Sequence, residues 1–316
     1  MMKRALMTTV ASLFVVVPTL AACSAAAEVA SSNGRIVYGT FDPAVEAMHL
    51  RTVNPNGGQV KNLSVLSDPG ADRWSPDGST ILITDLTGQS PLRPATVNAD
   101  GSSFTRLGAT GDPGLNLACH AWSPDGSRIA CEGFAENERS RAGIYTLDAV
   151  DGGGLVRITS GIDLPGDFSP DGTRISFLRA DPSRHLCDEC GALFVVNTDG
   201  SGLHRLTPWG LASETGGRWS PDGRRILFER NGGKLYTVHP DGKRRRQIPL
   251  DNGPGRSLAF QPSWSPNGKR IVFSMIWSRN DDQEDLFTAR ADGRDLVQVT
   301  DTPAFDMFGF WRPPVD

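Results

Sequence analysis

Strand-length runs of apolar residues recur along the chain, each introduced by an aromatic residue and a short polar turn. The same phrase, an aromatic followed by Ser-Pro-Asp-Gly or Ser-Pro-Asn-Gly, appears five times at intervals of 45 to 51 residues, with an isoleucine seven positions after each aromatic. Because side chains alternate between the two faces of a strand, runs such as Ile226-Leu227-Phe228 predict strands that are covered on both faces. The aromatic positions are Trp74, Trp122, Phe168, Trp219 and Trp264.

The polar phrase predicts a tight hairpin turn. Proline presets φ for the first turn position, Asp or Asn can bond its own backbone, and glycine supplies the left-handed residue. A second phrase, such as Leu193 to Gly200 followed by Leu206-Thr207, recurs in six copies. Each repeat therefore predicts four strands: one ending at the aromatic, one through the isoleucine, one ahead of the second Asp-Gly, and one ending in Leu-Thr. This interval and strand number are typical of a propeller blade.

The two chain ends account for the mismatch between five polar turns and six copies of the second phrase. Gly34 to Tyr38 matches the strand that follows the turn, and Phe310 to Pro313 matches the strand that precedes it. We expect these segments to pair, since a closed ring leaves no free sheet edge. The sequence thus predicts an all-β fold: a six-bladed β-propeller of four-stranded blades over residues 34–316, closed by pairing the C-terminal strand with the N-terminal strands.

The first 22 residues have the pattern of an export signal, with Lys3 and Arg4 ahead of an apolar stretch. Leu20-Ala21-Ala22-Cys23 resembles the lipobox of bacterial lipoproteins, which implies that residues 1–22 are removed and that Cys23 receives the lipid. Residues 23–33 are then a short tether. We expect an extracytoplasmic protein that meets the cell membrane through its lipid anchor only. The alternative is cleavage after Ala25-Ala26-Ala27, which leaves a soluble secreted or periplasmic protein.

The charge balance argues against a nucleic-acid partner. The chain has 32 Lys plus Arg against 36 Asp plus Glu, and removal of residues 1–22 takes away two positive charges, leaving 30 against 36, or −6. The one basic run, Lys243 to Arg246, follows an Asp-Gly turn without interleaved aromatics and is interpreted as a solvated loop.

Four cysteines besides Cys23 split into two pairs. Cys119 and Cys131 lie at equal distances on either side of the turn residue Asp125, so we expect them to face each other and form a cross-strand disulfide. Cys187 and Cys190 form a C-x-x-C sequence without a second such pair, which favours a small loop-stapling disulfide over a redox or metal site.

The five turns together resemble the TolB-like, WD-like propeller repeat, over residues 34 to 313. Similar propellers occur in the periplasmic TolB protein and ahead of the catalytic domain in prolyl oligopeptidase relatives. TolB carries an α/β domain before its propeller, and the peptidases carry a hydrolase domain after it. Neither domain is expected in this sequence, so Tol-system membership and peptidase activity are not implied.

The repeat places candidate sites away from its own turns. If the strand that ends at the aromatic is innermost, the tight turns share one face of the disc and the long variable loops share the other, where propellers usually bind their ligands. Large apolar loop residues are candidate partner-binding anchors, with burial as the alternative: Phe134, Trp209, Met275 and Trp277. Residues close before the aromatics are candidate channel-lining groups, with structural charge pairing as the alternative: Asp72, Arg73, His120, Asp167 and Arg218.

These features favour a non-enzymatic, monomeric scaffold of the cell envelope that holds a protein or glycan partner through its loop-rich face. No catalytic motif, cofactor signature or local metal-ligand spacing is found, so we predict no cofactor and no metal. The alternative is an envelope hydrolase or lyase whose active site is assembled at the channel mouth from several blades.

Overall fold

The computed structural model consists of six four-stranded antiparallel sheets. It describes residues 34–45, 47–67, 73–85, 91–108, 114–182, 191–212, 215–230, 232–250, 257–277 and 283–314. The predicted signal peptide, the tether, Cys23, Asp72, Cys187 and Cys190 therefore lie outside the described residues. Within the described part of the chain, a three-residue 3-10 turn, Arg139–Arg141, is the helical segment.

Each sheet is one blade, and its strands follow one another from the innermost to the outermost. Blade 1 contains β24 (Asp306–Trp311), β1 (Ile36–Asp42), β2 (Ala47–Val53) and β3 (Lys61–Ser67). Blade 2 contains β4 (Arg73–Trp74), β5 (Thr80–Asp85), β6 (Arg93–Asn98) and β7 (Thr105–Arg106). Blade 3 contains β8 (Asn116–Trp122), β9 (Arg128–Phe134), β10 (Gly143–Asp148) and β11 (Val156–Arg157).

The remaining three blades repeat this order. Blade 4 contains β12 (Asp163–Phe168), β13 (Arg174–Arg179), β14 (Ala192–Asn197) and β15 (His204–Arg205). Blade 5 contains β16 (Arg218–Trp219), β17 (Ile226–Arg230), β18 (Lys234–Val238) and β19 (Arg246–Gln247). Blade 6 contains β20 (Ser257–Trp264), β21 (Arg270–Trp277), β22 (Glu284–Arg290) and β23 (Val297–Gln298).

The ring closes through the two ends of the chain. β24 pairs antiparallel with β1, and Trp311 lies opposite Ile36 in the register. The inner strands β24, β4, β8, β12, β16 and β20 contact one another in that order around a central channel. The six-bladed architecture, the four-stranded blades and the split closing blade are therefore confirmed.

The repeated turn is held by its own side chains, as blade 4 illustrates. The backbone N–H of Gly172 donates to the carbonyl oxygen of Ser169 (2.8 Å), and the Ser169 hydroxyl donates to Asp171 Oδ1 (2.5 Å). The Asp171 carboxylate also accepts from the backbone N–H of Thr173 (3.0 Å). Gly172 has φ of 72°, a conformation that a side chain disfavours. These residues are explained by the hairpin alone.

Packing between neighbouring blades explains the aromatic and the isoleucine. The five isoleucines that follow the turns are fully buried, and each contributes about 1.5–3 kcal/mol through burial. The aromatic reaches the preceding blade: Trp264 Nε1 donates to the carbonyl oxygen of Arg218 (3.1 Å). The guanidinium of Arg225, which also belongs to blade 5, lies 4.7 Å from the Trp264 ring centroid. Arg174 stacks in the same way over Trp219 (4.7 Å).

The connections define two faces of the disc, because the first and third turns of every blade emerge on the same side. The turn face carries the tight hairpins and the two ends of the described chain. The loop face carries the connections between the second and third strands of each blade and those between blades, such as the segment from β9 to β10.

Candidate functional site

The central channel is lined at the level of the repeated aromatics by a cluster of charged and aromatic side chains. Arg73 and Arg218, each immediately before its blade's tryptophan, are buried. Their guanidinium carbons lie 3.3 Å and 5.3 Å from the ring centroid of Phe310. Two cations thus share one aromatic ring, an attraction that strengthens when the groups are removed from water.

Asp167 completes this channel cluster. Its Oδ1 lies 3.4 Å from Arg218 Nη1, which also donates to the carbonyl oxygen of Gly166 (2.7 Å). Burial raises the pKa of the Asp167 carboxyl above its ordinary value, and the positive charges of Arg218 and Arg73 oppose that shift. The charge-bearing residues of the cluster are therefore engaged with each other and with the backbone.

The structure brings together three of the five residues predicted to line the channel, namely Arg73, Asp167 and Arg218. His120 is half-buried in the β-bulge of β8, between Cys119 and Ala121, and Asp72 lies outside the described residues. Phe310 was not among the predicted channel-lining residues, all of which were titratable groups. The signal was available, since Phe310 precedes Trp311 just as Arg73 precedes Trp74. A role for these residues in ligand binding stays a prediction.

The first predicted disulfide is confirmed: Cys119 and Cys131 lie opposite each other in the pairing of β8 with β9 and are joined. Both are fully buried in the core cluster of blade 3. The second pair, Cys187 and Cys190, is outside the described residues and stays a prediction.

The predicted partner-binding anchors have different environments. Trp209 is half-buried, with its ring 5.6 Å from that of Phe194 and 5.5 Å from the guanidinium of Arg205. Phe134 is half-buried at the end of β9 on the loop face. Trp277 ends β21 on the same face, and its side chain lies outside the description.

Met275 corrects the sequence interpretation. Its side chain is fully buried in the core shared by blades 5 and 6, so it has no surface to offer a partner. The alternation of β21 is responsible, because β21 continues to Trp277 and keeps Met275 within the sheet instead of releasing it into a loop.

Exposed apolar side chains on the loop face were not singled out from the sequence. Val45, Ile162 and Phe305 have 52%, 56% and 40% of their surface exposed. The backbone N–H of Phe41 donates to the carbonyl oxygen of Phe305 (2.9 Å), which holds this connection against blade 1. These residues are identified by their position in a connection between strands and not by the size of their side chains.

Metal and membrane chemistry find no support in the described residues. They contain no group of three or more His, Cys, Asp or Glu side chains arranged to hold a metal ion. Their one helical segment is far too short to cross a bilayer, and no described helix qualifies as a membrane span.

The geometry defines the class of protein: a closed six-bladed propeller with a cluster of charged and aromatic side chains in its channel. No protein-family model matches the chain. A TolB homolog of Chlorobium luteolum is 30% identical over 259 residues, which are 76% of this chain and 55% of that protein. The crystal structure of TolB from Acinetobacter baumannii superposes with a TM-score of 0.69 at 22% identity, covering 89% of this chain and 67% of that chain. This chain is a TolB-like β-propeller.

A second relative is named as a peptidase. The uncharacterized peptidase YuxL of Bacillus subtilis is 27% identical over 138 residues, 42% of this chain. The chain spans about half of the TolB homolog (55%) and a fifth of the peptidase (20%). The activities and partners of these longer proteins therefore come to this chain only as proposals.

Proposed function

We propose that this protein is an exported, non-enzymatic lipoprotein of the cell envelope whose propeller holds a protein partner through its loop face. The channel cluster carries the proposal. Arg73, Arg218, Asp167 and Phe310 occupy the position in which a propeller enzyme would place a substrate. Binding is then left to the outer surfaces of the disc.

The loop face supports a protein partner through its chemistry. Phe305 and Ile162 are exposed apolar groups on connections that differ from blade to blade. Such side chains serve as anchors when a partner removes them from water, and aromatic residues are enriched at such positions. The similarity to TolB, itself a propeller protein, is consistent with a binding role.

A matched pair of exposed phenylalanines tests this surface. Phe305 lies on the loop face, whereas Phe104, 47% exposed, follows the third-strand turn of blade 2 on the turn face. In intact cells, a photo-crosslinking amino acid at position 305 is expected to capture a discrete partner, whereas the same amino acid at position 104 is expected to capture none. With the photo-crosslinking amino acid at position 162 instead, Phe305→Ala is expected to reduce capture at least about tenfold. Phe104→Ala is expected to leave that capture unchanged. Capture of the same partner from position 104, or indifference to Phe305→Ala, contradicts the proposal.

Lipid attachment at Cys23 is proposed from the lipobox and needs its own test. Radiolabelled palmitate is expected to enter the wild-type chain, and the Cys23→Ser variant is expected to lack the label and to leave the membrane fraction. Label that persists in Cys23→Ser, or an unlabelled wild type, would favour the soluble secreted alternative.

An enzyme at the channel mouth is the alternative, and the raised pKa of Asp167 is the feature that favours it, since perturbed carboxyls cluster at active sites. Against it, the described channel cluster pairs this single carboxylate with two guanidiniums, whereas glycosidases use two carboxylates. Asp167→Asn is expected to fold and to retain partner capture. Loss of a measurable hydrolase or lyase activity in that variant would support the enzyme.

A further inference from the structure

Grooves between neighbouring blades recur on the turn face, and the groove between blades 5 and 6 is rich in arginine. It has a volume of about 880 Å³. We call it the arginine groove. Its charged lining consists of Arg224, Arg225, Arg244, Arg246, Asp222 and Asp292, with His239 beside them. The groove between blades 3 and 4 has about 490 Å³ and one lining arginine, Arg128.

The third turn of blade 5 allows Arg244 without requiring it. Arg244 has φ of 54°, and the equivalent left-handed position is glycine in blades 3 and 4, Gly154 (56°) and Gly202 (67°). In blades 1, 2 and 6 it is Gln59 (55°), Ser103 (57°) and Asp295 (51°). The position therefore accepts different side chains, and the arginine is not needed to form the turn.

The guanidiniums of the arginine groove are available to a ligand. Arg244, Arg245 and Arg246 are exposed, and among the described residues their side chains make no hydrogen bond or ion pair. The Asp222 carboxylate accepts from the Ser220 hydroxyl (2.6 Å) and from the backbone N–H of Arg224 (3.1 Å). The lining therefore holds four arginines against two carboxylates, Asp222 and Asp292, and its net charge is positive.

The start of the described chain lies on the same face. The backbone N–H of Arg312 donates to the carbonyl oxygen of Arg35 (2.6 Å), and Arg312 Nε donates to the carbonyl oxygen of Gly78 in the blade 2 turn (2.9 Å). An eleven-residue tether from Cys23 reaches at most roughly 40 Å when extended. An acyl group at Cys23 would therefore keep the start of β1, on the turn face, within about that distance of the bilayer.

We propose that the arginine groove binds the phosphate groups of anionic phospholipids and docks the turn face onto the membrane surface. Arginine matches phosphate through two parallel hydrogen bonds, and basic clusters near a bilayer are attracted to anionic lipids. The orientation rests on the proposed acylation of Cys23, whereas the charge of the groove does not.

Vesicle sedimentation of the chain from residue 23, with Cys23→Ser to prevent acylation, tests the groove by itself. Every described strand follows residue 34, so the closed ring is intact in this chain. We expect binding to vesicles of phosphatidylcholine with 30% phosphatidylglycerol, none to phosphatidylcholine alone, and release by high salt because salt screens surface charge. Arg244→Gly with Arg246→Gln is expected to weaken binding at least about tenfold. The Gly substitution suits the backbone, so the thermal midpoint should not fall.

The control variant, Arg139→Gln with Lys234→Gln, removes the same charge from the loop face and is expected to bind like the parent chain. Equal binding to both vesicles, or equal losses in the two variants, overturns the proposal. Binding of soluble polyphosphate without binding of anionic vesicles also overturns it, in favour of a free polyanion. Failure of palmitate labelling would remove the anchor while leaving this vesicle result unaffected.

Discussion

The groove between blades 3 and 4 and the arginine groove occupy equivalent places in the repeat but differ in chemistry. In the first, Arg128 bonds to Asp148 and to the carbonyl oxygen of Gly154 (2.8 Å). In the second, the equivalent Arg225 stacks on Trp264, and the side chains of Arg244 and Arg246 make no hydrogen bond or ion pair among the described residues. Phe168 lines the first groove, and Trp264 is the equivalent aromatic of blade 6, behind Arg225.

The difference teaches that the repeat determines the groove and that the residues around the repeat determine its charge. Ser127 stands where blade 5 has Arg224, and Val156 stands where it has Arg246; both line the groove between blades 3 and 4. The backbone N–H of Ser127 donates to Asp125 (3.0 Å) as that of Arg224 donates to Asp222 (3.1 Å). The turn therefore keeps this backbone bond while the side chain varies, which is why two grooves of one architecture carry different charge.

The largest expected effect comes from Trp264, the aromatic on which Arg225 of the arginine groove stacks. Trp264→Ala is expected to lower the free energy of unfolding by about 3–5 kcal/mol, because it opens a cavity between blades 5 and 6. Trp264→Phe is expected to cost about 1 kcal/mol, the net value of the bond to the Arg218 carbonyl. Urea unfolding measures both. If Trp264→Phe costs as much as Trp264→Ala, the hydrogen bond and not the packing dominates, and the equivalence with Phe168 fails.

Blade 3 has a covalent link, whereas blades 5 and 6 contain no cysteine. The Cys119–Cys131 bond closes a loop with a sequence separation of 12, so Cys119→Ala with Cys131→Ala is expected to lose about 3 kcal/mol. Guanidinium unfolding of the oxidised parent and the double variant gives the difference. A parent chain that unfolds identically after reduction would show that the link adds nothing to blade 3.

Transfer of the charge from one groove to the other tests the comparison directly. Ser127→Arg and Val156→Arg place cations at the positions of Arg224 and Arg246. This double variant is expected to bind anionic vesicles about fivefold to tenfold better than the parent, or about 1 kcal/mol of binding free energy. Sedimentation at two salt concentrations checks it. Unchanged binding would mean that position in the ring, and not charge alone, decides docking.

The smallest of the predicted effects is a difference in acid stability between the turns that contain aspartate and the turn that contains asparagine. The Ser169 hydroxyl and the backbone N–H of Thr173 lower the pKa of Asp171 to about 2. A folded-state pKa below the unfolded one adds stability above about pH 4, and that stability is lost as the pH falls through 2. In blade 6, Asn267 accepts the same bonds from Ser265 (2.9 Å) and cannot titrate.

Asp171→Asn is therefore expected to fold normally at pH 7 and to flatten the stability profile between pH 4 and 2, whereas Asn267→Asp is expected to steepen it. Thermal unfolding across this pH range measures both. A profile that is identical in all three chains would show that the turn carboxylates titrate alike in the folded and unfolded states.

Much of the fold could be predicted because its determinants are local and repeated. The turn at Ser169 to Gly172 forms from residues within five positions of one another, and five copies reveal both the blade and its four strands. The disulfide followed from symmetry about Asp125. Met275 was misjudged because the length of β21 depends on its pairing with β20 and β22, which a reading along the chain does not contain.

The sequence by itself determined the number of blades, the closing strands, the turns and one disulfide, since each rests on contacts between near neighbours or on repetition. Only the tertiary structure decided that Arg73, Asp167, Arg218 and Phe310 meet, because each comes from a different blade and their contact depends on the diameter of the closed ring. It also placed the basic run, interpreted from sequence as a solvated loop, beside Arg224 and Arg225 in one groove, because the first and third turns of blade 5 lie on the same face. The channel residues, far apart along the chain, meet only because the ring brings their four blades together.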